Sequence, residues 1–578
     1  SLLVVRPECY DTKPGKKGDG QITTEVLLHR PNNADTVRRT KNTITINLRT
    51  RNLDLELVRL NIHGQKPVSM ERIESNELYD TWQCVAKASN LEKLTYDFEL
   101  KDGKTVARFP DQPFTQNVAA YPLPSPPKWV QKSVFYQIFP DRFAIGGTAA
   151  KDYPKTWLAE PAERGFQGGN LNGISEKLGY IADLGATGLF LNPIFATNTY
   201  HGYNTLDYEK IEPRFGTNAD FASLVKALHS RGIKVMLDGV FNHCGSEHPY
   251  FLDVIKNEKK SEYYPWFTVY KFPIKVEPGQ QTYLGWAGVY GMPKLKTSNP
   301  VVQSFVANVG QHWIKQYNID AWRLDVADEV DPECWRVFRR AIRGVDKNAY
   351  ILGEAWGDAR TWVQGDQHDA TMNYRWRTAV MSAILDGSLS PTGFDRALRI
   401  VREQIPEATV LCQYNLLSSH DTPRFLTLAK GDKRKLRQAM LFQMTYPGVP
   451  SVYYGEEIGM EGGHDPDCRR GMIWDQKKWD HALLSDYKAA IKRRKSTAAL
   501  CSGSFRTLLA DDPTGLFAYE RKAGKSRVVI VMNLGKSQQD VPAQLVQGLT
   551  LAENSECVQR KNGGVSLKQH GIALLIAP

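Results

Sequence analysis

The sequence predicts an α/β protein: a (β/α)8 TIM barrel with an inserted small domain, an N-terminal β-sandwich before it and a C-terminal β-sandwich domain after it. Three observations lead to this prediction. The chain of 578 residues is too long for one hydrophobic core. Patterns with a period of two residues, typical of strands, occupy both ends of the chain. Between them, short apolar runs alternate with helical stretches, as in a parallel barrel.

The N-terminal part has the pattern of a small antiparallel sandwich from about residue 22 to residue 127. Residues 43–48 and 94–100 alternate apolar and polar side chains, as half-buried strands do. Residues 1–21, rich in Lys, Gly and Pro, predict a loose extension. The proline-rich segment 121–127 predicts a stiff linker that ends this domain.

The barrel is predicted over residues 128–495. Its helices include 299–317, where Asn299 and Pro300 form a favourable helix start. The gap at about 244–298 is too long for an ordinary loop, which predicts an inserted domain over the barrel mouth. Strand character returns in the C-terminal β domain, 496–578. The eight strand candidates are 134–139, 187–191, 233–240, 319–326, 350–355, 371–374, 414–418 and 451–454.

Composition excludes several classes of protein. The net charge of +11 comes from dispersed basic residues, so we expect no nucleic-acid partner. No stretch approaches the ~20 apolar residues of a membrane helix, so we expect no membrane partner. The eight cysteines form no metal-ligand or disulfide pattern. Free thiols favour a cytoplasmic location; the alternative is a periplasmic or secreted protein whose signal peptide has been removed.

Charged residues at the ends of barrel strands are the candidates for catalysis, because barrel active sites lie there. In the run 320–325, the period of two places Arg323 and Asp325 on one face of the strand. The cation would hold Asp325 ionised, as a nucleophile requires. The alternative is a buried ion pair that only fixes the strand.

Three further strand ends carry suitable groups. Glu354 ends the next apolar strand beside Trp356, which suits a proton donor, although a Glu can also cap the following turn. His420 and Asp421 follow a later strand, and taken alone they would be an ordinary loop pair. The run 238–243 adds another Asp and another His. Four sites of the right type at four strand ends favour catalysis over the separate structural explanations.

These residues also resemble a known family. Residues 238–243, 321–329, 353–356 and 418–421 are similar to the four signature regions of the α-amylase family of glycoside hydrolases. The segment 292–295 (Met-Pro-Lys-Leu) resembles the pattern of the neopullulanase, cyclomaltodextrinase and maltogenic amylase group.

The resemblance implies double displacement with retention of the anomeric configuration. Asp325 would attack the anomeric carbon, Glu354 would act as acid and then base, and Asp421 would be the third carboxylate, which holds two sugar hydroxyls. His243, His420 and Arg323 would line the same subsite, with Tyr203 stacked beneath the sugar ring. Asp238 and Asn242 would support the site. Further substrate-binding residues would be Asp465 and Arg469 toward the next sugar, and Trp286, Val326, Glu329 and Trp356 on the acceptor side.

The same resemblance implies the substrates and partners. We expect hydrolysis of α-1,4 bonds in cyclodextrins, maltooligosaccharides, pullulan and starch, with some transglycosylation, by a homodimer. Alternatives are a transglycosylase, branching enzyme or isomerase on the same scaffold. A non-catalytic glycan-binding or transporter-associated protein is the alternative of another class. Such proteins lose the carboxylates, which this chain keeps.

Calcium is the cofactor that relatives often bind, in an oxygen-rich loop. Here the loop at 144–150 offers almost no side-chain oxygens, and Asn170 stands where an acidic residue is usual. Ca²⁺ takes six or more oxygen ligands. We therefore expect that no cofactor is required and that calcium is absent or weakly bound.

Overall fold

The computed structural model describes residues 15–31, 35–75, 78–147, 153–159, 165–559 and 564–577. The chain divides into two compact units. The first contains the residues up to Pro124 together with Val363–Gly365 and Arg399–Ala408, and the second contains the rest. Most of the predicted extension, residues 1–14, lies outside the described residues. Within them, no helix is long and apolar enough to cross a membrane.

The first unit contains two antiparallel sheets, with strand orders β1-β2-β6-β5 and β4-β3-β7-β8. Alternate side chains of both sheets, among them Ile44, Ile46 and Leu60 and the aromatic residues Tyr96 and Phe98, form one buried core. This confirms the predicted N-terminal β-sandwich. The strands are β1 Thr36–Arg38, β2 Thr43–Arg51, β3 Leu57–Ile62, β4 Val68–Ser69, β5 Glu71–Ser75, β6 Tyr79–Lys87, β7 Leu94–Asp102 and β8 Thr105–Gln116.

The second unit is built on an eight-stranded parallel sheet in the order β16-β15-β14-β13-β10-β9-β18-β17, as far as the described residues show. A parallel bridge between Met372 and Tyr414 joins the two edges, and the Asn373 N–H donates to the Tyr414 carbonyl at 2.8 Å. The sheet therefore closes into the predicted barrel. Its strands are β9 Phe135–Ile138, β10 Gly188–Leu191, β13 Lys234–Gly239, β14 Ala321–Leu324, β15 Tyr350–Gly353, β16 Ala370–Thr371, β17 Tyr414–Leu416 and β18 Val449–Tyr453, with β11 Phe195–Thr197 and β12 Thr205–Ile211 paired outside it.

Helices alternate with these strands, and their starts follow local capping. The helix Asn218–His229 begins where Thr217 and Asp220 form a capping box around its first turn. Asn299 caps the helix that starts at Pro300, as predicted. The helices are α1 Pro140–Phe143, α2 Leu171–Glu176, α3 Leu178–Leu184, α4 Asn218–His229, α5 Pro249–Asn257, α6 Pro300–Tyr317, α7 Pro332–Val345, α8 Tyr374–Ile384, α9 Pro391–Glu403, α10 Glu407–Val410, α11 Phe425–Leu428, α12 Lys433–Thr445 and α13 His481–Ser496.

The long segment between β13 and α6 returns to the barrel at its end. Isolated antiparallel bridges pair His243 with Lys294, Phe267 with Leu295 and Gly285 with Pro293. The N–H groups of Lys294, Leu295 and Lys296 donate to carbonyls at 2.9, 3.0 and 2.7 Å. The strip 293–296 is therefore held as extended backbone beside the end of β13.

The C-terminal strands form one connected antiparallel sheet within the described residues, in which β24 pairs with β21, β22 and β23. Arg521 of this sheet donates to the carbonyl of Thr445 at 2.7 Å, and Arg494 of α13 donates to that of Met444 at 2.9 Å. Both arginines are fully buried. The elements are α14 Ala498–Ser502, β19 Ser504–Asp511, β20 Leu516–Ala523, β21 Ser526–Asn533, β22 Gln539–Asp540, α15 Ala543–Val546, β23 Thr550–Gln559 and β24 Val565–Ile576.

Candidate active site

A layer of polar side chains lies at the C-terminal ends of the barrel strands. The layer below it is an apolar cluster that includes Phe135, Phe190, Met236, Ala321 and Leu352. Because side chains on one face of a strand repeat every second residue, the next position on each of these strands faces the same way. Those positions hold Gln137, Asn192, Asp238, Arg323 and Glu354, all buried. The alternation of side chains along each strand thus brings polar groups from separate parts of the chain into one layer.

Arg323 is the centre of this layer. Its Nη1 lies 2.8 Å from Asp238 Oδ1 and 2.7 Å from Asp325 Oδ1. Its Nη2 lies 2.8 Å from Glu354 Oε2, an ion-pair distance without hydrogen-bond geometry. The side chains of Arg323 and Asp238 are fully buried, and those of Asp325 and Glu354 are 7% exposed. One guanidinium therefore fixes the predicted nucleophile and the predicted acid/base relative to each other.

The cluster contains three carboxyl groups and one guanidinium, so its charges do not cancel. Burial raises the pKa of Asp325 well above its usual value, and Arg323 opposes this, while Glu354, Asp238 and Asp421 add to it. Burial likewise raises the pKa of Asp238 to about 6, against the effect of Arg323. The sequence predicted that Arg323 holds Asp325 ionised. In the ligand-free site its effect has that direction, but burial and the neighbouring carboxylates outweigh it.

Glu354 is held by the segment that follows Asp325. The N–H of Val326 donates to Glu354 Oε2 at 2.9 Å, and the N–H of Ala327 donates to the Glu354 carbonyl at 3.0 Å. The Trp356 indole N–H donates to Glu354 Oε1 at 3.1 Å. Val326 adopts a left-handed conformation (φ 45°, ψ 45°), which is strained for a β-branched residue. This turn aims its N–H group at the carboxylate.

His420 links Tyr203 to Asp421 through contacts of its ring nitrogen Nε2. Gln137 Nε2 donates to His420 Nδ1 at 3.0 Å, which assigns the ring proton to Nε2. His420 Nε2 lies 3.0 Å from Asp421 Oδ2 and also contacts the Tyr203 hydroxyl, which donates to Asp238 Oδ2 at 3.0 Å. Burial lowers the pKa of His420 well below its usual value, so the ring is neutral.

Asp421 is linked to the predicted outer pair by Arg469. Arg469 Nη2 lies 3.3 Å from Asp421 Oδ1, and Nη1 lies 2.8 Å from Asp465 Oδ1. The guanidinium also donates to the carbonyl of His420 at 2.8 Å. The side chain of Asp421 is 28% exposed and that of Asp465 47% exposed, so both carboxylates are accessible to a ligand.

His243 lies on the side of the inserted segment. Its ring stacks on Trp286 with centroids 5.6 Å apart, its Nε2 lies 3.1 Å from the Tyr203 carbonyl, and Asn242 Nδ2 lies 3.2 Å from its Nδ1. Burial lowers the pKa of His243 to about 4. A neutral imidazole here exchanges hydrogen bonds with hydroxyls but carries no charge at neutral pH.

Together these groups surround a cavity of about 520 Å³ at the barrel mouth. Arg323, His420, Asp238 and Asn242 do not line it: they are buried and contact the residues that do. The predicted residues that line it are Tyr203, His243, Trp286, Asp325, Val326, Glu329, Glu354, Trp356, Asp421, Asp465 and Arg469.

Several residues that were not predicted to bind the substrate also belong to this site. His201, Met292 and Asp328 also line the cavity. His201 precedes Gly202, whose φ of +80° and close approach to Pro193 favour glycine, so the turn at 201–203 carried a usable signal. Tyr374 stacks on Trp356 with centroids 3.7 Å apart, a contact made only when the barrel closes.

The loop expected to lack calcium is partly described, since residues 148–152 lie outside the described ranges. Asn170 Oδ1 accepts from the N–H groups of Gly173 and Gly146 at 2.7 and 3.1 Å, and its Nδ2 donates to the Gly146 carbonyl at 3.2 Å. This side chain bridges the backbone of Gly146 and Gly173, and its oxygen already accepts two hydrogen bonds, which does not fit a metal ligand. No cluster of three or more His, Cys, Asp or Glu suited to a metal occurs in the described part of the chain.

We therefore expect activity to survive chelation. Enzyme dialysed against EDTA should keep the hydrolysis rate and thermal midpoint of untreated enzyme, because the Asn170 amide holds the backbone of Gly146 and Gly173. Parallel assays with EDTA, and with EDTA followed by excess calcium, measure this. Activity that is lost in the first sample and restored in the second would contradict the prediction.

A barrel whose mouth presents paired carboxylates on one guanidinium, neutral histidines and exposed aromatic rings is that of a glycoside hydrolase. Comparison with known proteins agrees. The profile described as "Alpha amylase, catalytic domain" matches residues 137–499, and that described as "Alpha amylase, N-terminal ig-like domain" matches residues 22–121. The chain belongs to the α-amylase family.

Similar proteins include a cyclomaltodextrinase, a neopullulanase and a maltogenic amylase. The chain is 38% identical to a cyclomaltodextrinase of Geobacillus thermopakistaniensis over 90% of its length and 92% of that protein. It is 43% identical to neopullulanase 2 of Thermoactinomyces vulgaris over 72% of both chains. It is 33% identical to an intracellular maltogenic amylase of Bacillus subtilis over 89% of this chain and 92% of that protein. A solved cyclomaltodextrinase structure superposes with a TM-score of 0.82 at 34% identity, covering 96% of this chain and all of that one.

Proposed function

We propose that this protein is a retaining hydrolase of α-1,4-glucosidic bonds. The observation that carries the proposal is the placement of Asp325 and Glu354 on adjacent nitrogens of the Arg323 guanidinium, beside the cavity. A retaining mechanism needs carboxyl groups roughly 5–5.5 Å apart, so that one can attack the anomeric carbon while the other reaches the leaving oxygen. The shared guanidinium favours this close arrangement over the wider spacing of inverting enzymes.

In the proposed first step, an Asp325 oxygen forms a bond to the anomeric carbon as the bond to the leaving oxygen breaks. Glu354 gives its proton to that oxygen. In the second step, Glu354 takes a proton from water, the hydroxide oxygen attacks the anomeric carbon, and the bond to Asp325 breaks. Asp325 attacks in its ionised form, which the neighbouring Arg323 guanidinium favours.

Neighbouring residues would bind the sugars. Asp421 accepts from hydroxyls of the sugar that is cleaved, and His243 exchanges hydrogen bonds with the same sugar. Tyr203 offers its ring to the apolar C–H face. Arg323 and His420 act through other residues. Arg323 holds Asp325, and His420 holds Asp421 and Tyr203.

Two further groups extend the site on either side of the cleaved bond. Asp465 and Arg469 lie toward the next sugar on one side. The acceptor side consists of Trp286, Val326, Glu329 and Trp356. A sugar bound there can intercept the intermediate instead of water, so we propose some transglycosylation beside hydrolysis.

We further propose that the substrates are cyclodextrins, maltooligosaccharides and pullulan, with starch cleaved more slowly, and that the protein is a cytoplasmic homodimer. The relatives named cyclomaltodextrinase and neopullulanase support the substrates, and the one named intracellular supports the location. The homodimer rests on the resemblance of the sandwich and the segment 292–295 to that group. An N-terminal domain of a second copy over the cleft would exclude bulky helical starch.

We expect kcat/KM to be higher on cyclodextrin than on soluble starch, and the mass in solution to be about twice the 65.2 kDa of the chain. A compact ring or short chain can present its bond to Glu354 in a narrowed cleft, whereas helical starch cannot. Initial rates on both substrates, product analysis on pullulan, and light scattering measure this. A monomer that prefers starch would contradict both parts and leave the catalytic assignment standing.

A further inference from the structure

Two adjacent buried carboxyl groups, Glu456 and Glu457, follow β18 and take no part in the proposed chemistry. Neither of them lines the active-site cavity. Glu457 Oε1 accepts from the Tyr136 hydroxyl at 2.7 Å and from the Tyr180 hydroxyl. Glu456 Oε1 accepts from the hydroxyl of Tyr487, in α13, at 2.9 Å. The second oxygen of Glu456 has a partner in a different part of the barrel.

That oxygen, Oε2, contacts the base of the loop that carries Asp421, residues 418–425. The Ser418 hydroxyl donates to Glu456 Oε2. The same hydroxyl oxygen accepts at 2.9 Å from the N–H of Phe425, the first residue of α11. The first N–H groups of a helix have no partner within it, so Ser418 supplies one from the other end of the loop. Ser418 thus closes the loop at its base, and Glu456 fixes the hydroxyl that closes it.

Asp421 lies near the middle of this closed loop, and short-range hydrogen bonds connect it to the base. The N–H of Asp421 donates to Ser419 Oγ at 3.2 Å. The N–H of Ser419 donates to Thr422 Oγ1 at 3.1 Å. Because Ser419 directly follows Ser418, a shift of the base is transmitted to the backbone of Asp421.

His420, the neighbour of Asp421, has strong supports outside the loop. Gln137 Nε2 donates to its Nδ1 at 3.0 Å, and Arg469 donates to its carbonyl at 2.8 Å. Cys468 Sγ also lies 3.1 Å from that carbonyl oxygen. Arg469 approaches the Asp421 carboxylate as well, but at 3.3 Å and at a side chain that is 28% exposed. A change at the base of the loop should therefore affect Asp421 more than His420.

We propose that Glu456 is a positioning residue for Asp421: through the Ser418 hydroxyl, it holds the loop 418–425 in the form that presents the third carboxylate to the sugar. The inference rests on the proposed function, in which Asp421 accepts from hydroxyls of the sugar that is cleaved. It assigns a role to a buried carboxyl group that does not reach the substrate.

The link between Glu456 and Ser418 requires an oxygen acceptor and does not require a charge. Burial raises the pKa of Glu456 to about 7, while the hydrogen bonds from Ser418 and Tyr487 oppose this rise. Near neutral pH the carboxyl group is thus present in both forms. Each form keeps an oxygen that can accept from Ser418. A glutamine at this position should preserve the link.

The test compares Glu456→Gln, which keeps an acceptor for Ser418, with Glu456→Leu, which removes it at similar volume. On an α-maltosyl fluoride, kcat/KM of Glu456→Gln should stay close to that of wild type. For Glu456→Leu it should fall by roughly 10- to 100-fold, the size of effect expected from a small misplacement of a group that orients the substrate. Rescue by the conservative variant would show that the acceptor is what matters.

A double-mutant cycle with Asp421→Ala distinguishes positioning from a general loss of stability. If Glu456 acts through Asp421, Glu456→Leu should change kcat/KM by no more than about twofold once residue 421 is alanine, because effects that act through one group are not additive. All variants are assayed on the fluoride, a reactive substrate that keeps slow enzymes measurable. Glu457→Leu, the same change in the adjacent carboxyl, is the matched control and should change kcat/KM by the same factor in both backgrounds.

Hydrolysis of maltotriose by wild type separates the two levels of the argument. If wild type cleaves maltotriose but Glu456→Leu causes an equal loss in both backgrounds, or Glu456→Gln loses as much as Glu456→Leu, the positioning role is wrong and the proposed function stands. If wild type does not cleave maltotriose, both fall. Should Glu456→Leu not fold, Ser418→Ala removes the same link from the loop, with a loss in the same direction expected and an unchanged rate counting against the inference.

Discussion

Asp325→Asn should lower kcat on maltooligosaccharides by on the order of 10⁴-fold or more, the size of effect seen when a covalent nucleophile is removed. An amide does not form the glycosyl ester, so both halves of the double displacement are lost. The remaining groups around the cavity still bind sugar hydroxyls, so the affinity for an oligosaccharide should change far less than the rate. Initial rates together with calorimetric titration of a cyclodextrin measure the two quantities.

The fold should tolerate this substitution. Asp325 is one of three carboxylates on a single buried guanidinium, and replacing it by a neutral group of the same shape removes repulsion from Asp238 and Glu354. The thermal midpoint should therefore be equal to that of wild type or higher. Asp183→Asn, at a surface carboxylate that is 67% exposed, is the matched control and should keep full activity. Near-normal turnover by Asp325→Asn would refute its assignment as nucleophile.

Glu354→Gln should lower the rate on maltooligosaccharides by roughly 10²–10⁴-fold, the range of general acid–base catalysis. Substrates whose leaving group needs no protonation, such as an α-maltosyl fluoride, should still form the intermediate, because Asp325 is intact. Hydrolysis of that intermediate should remain slow, because the amide takes no proton from water. A burst of fluoride followed by slow turnover is the expected result in stopped-flow measurements.

Added azide provides the control for this second variant. Azide attacks the intermediate without needing a base, so it should restore turnover of the fluoride by Glu354→Gln but not by Asp325→Asn. The glycosyl azide should have the α configuration if the mechanism retains, and nuclear magnetic resonance distinguishes the two anomers. A β product, or equal behaviour of the two variants, would overturn the division of roles between Asp325 and Glu354.

Sequence reasoning succeeded where a local pattern carried the structure. The alternation of short apolar runs with helical stretches predicted the barrel, and the period of two in one of its strands placed Arg323 beside Asp325. The same rule did not show that Arg323 also meets Asp238 and Glu354, because that depends on which strands are neighbours and on their register. Neighbouring strands come from distant parts of the chain, and a single strand contains no record of its partner.

Other parts of the site left no local signal. Gln137 and Asn192 look like ordinary polar residues in the sequence, yet the closed barrel places Gln137 against both Asn192 and His420. The strand candidate at 371–374 is only the two-residue β16 Ala370–Thr371 in the structure, and Tyr374, which starts α8, stacks on Trp356. The strained turn at Val326 was invisible as well, since valine is normally disfavoured at positive φ.

Two buried arginines, Arg494 of α13 and Arg521 of β20, contact the C-terminal end of α12, and the second of them ties the last domain to the barrel. The final carbonyls of a helix have no partner within it, and here Arg494 and Arg521 supply donors to those of Met444 and Thr445. During synthesis, a nascent chain that ends before Arg521 leaves the Thr445 carbonyl without this donor. We therefore expect a chain truncated before Arg521 to hold the end of α12 less firmly than the full chain does.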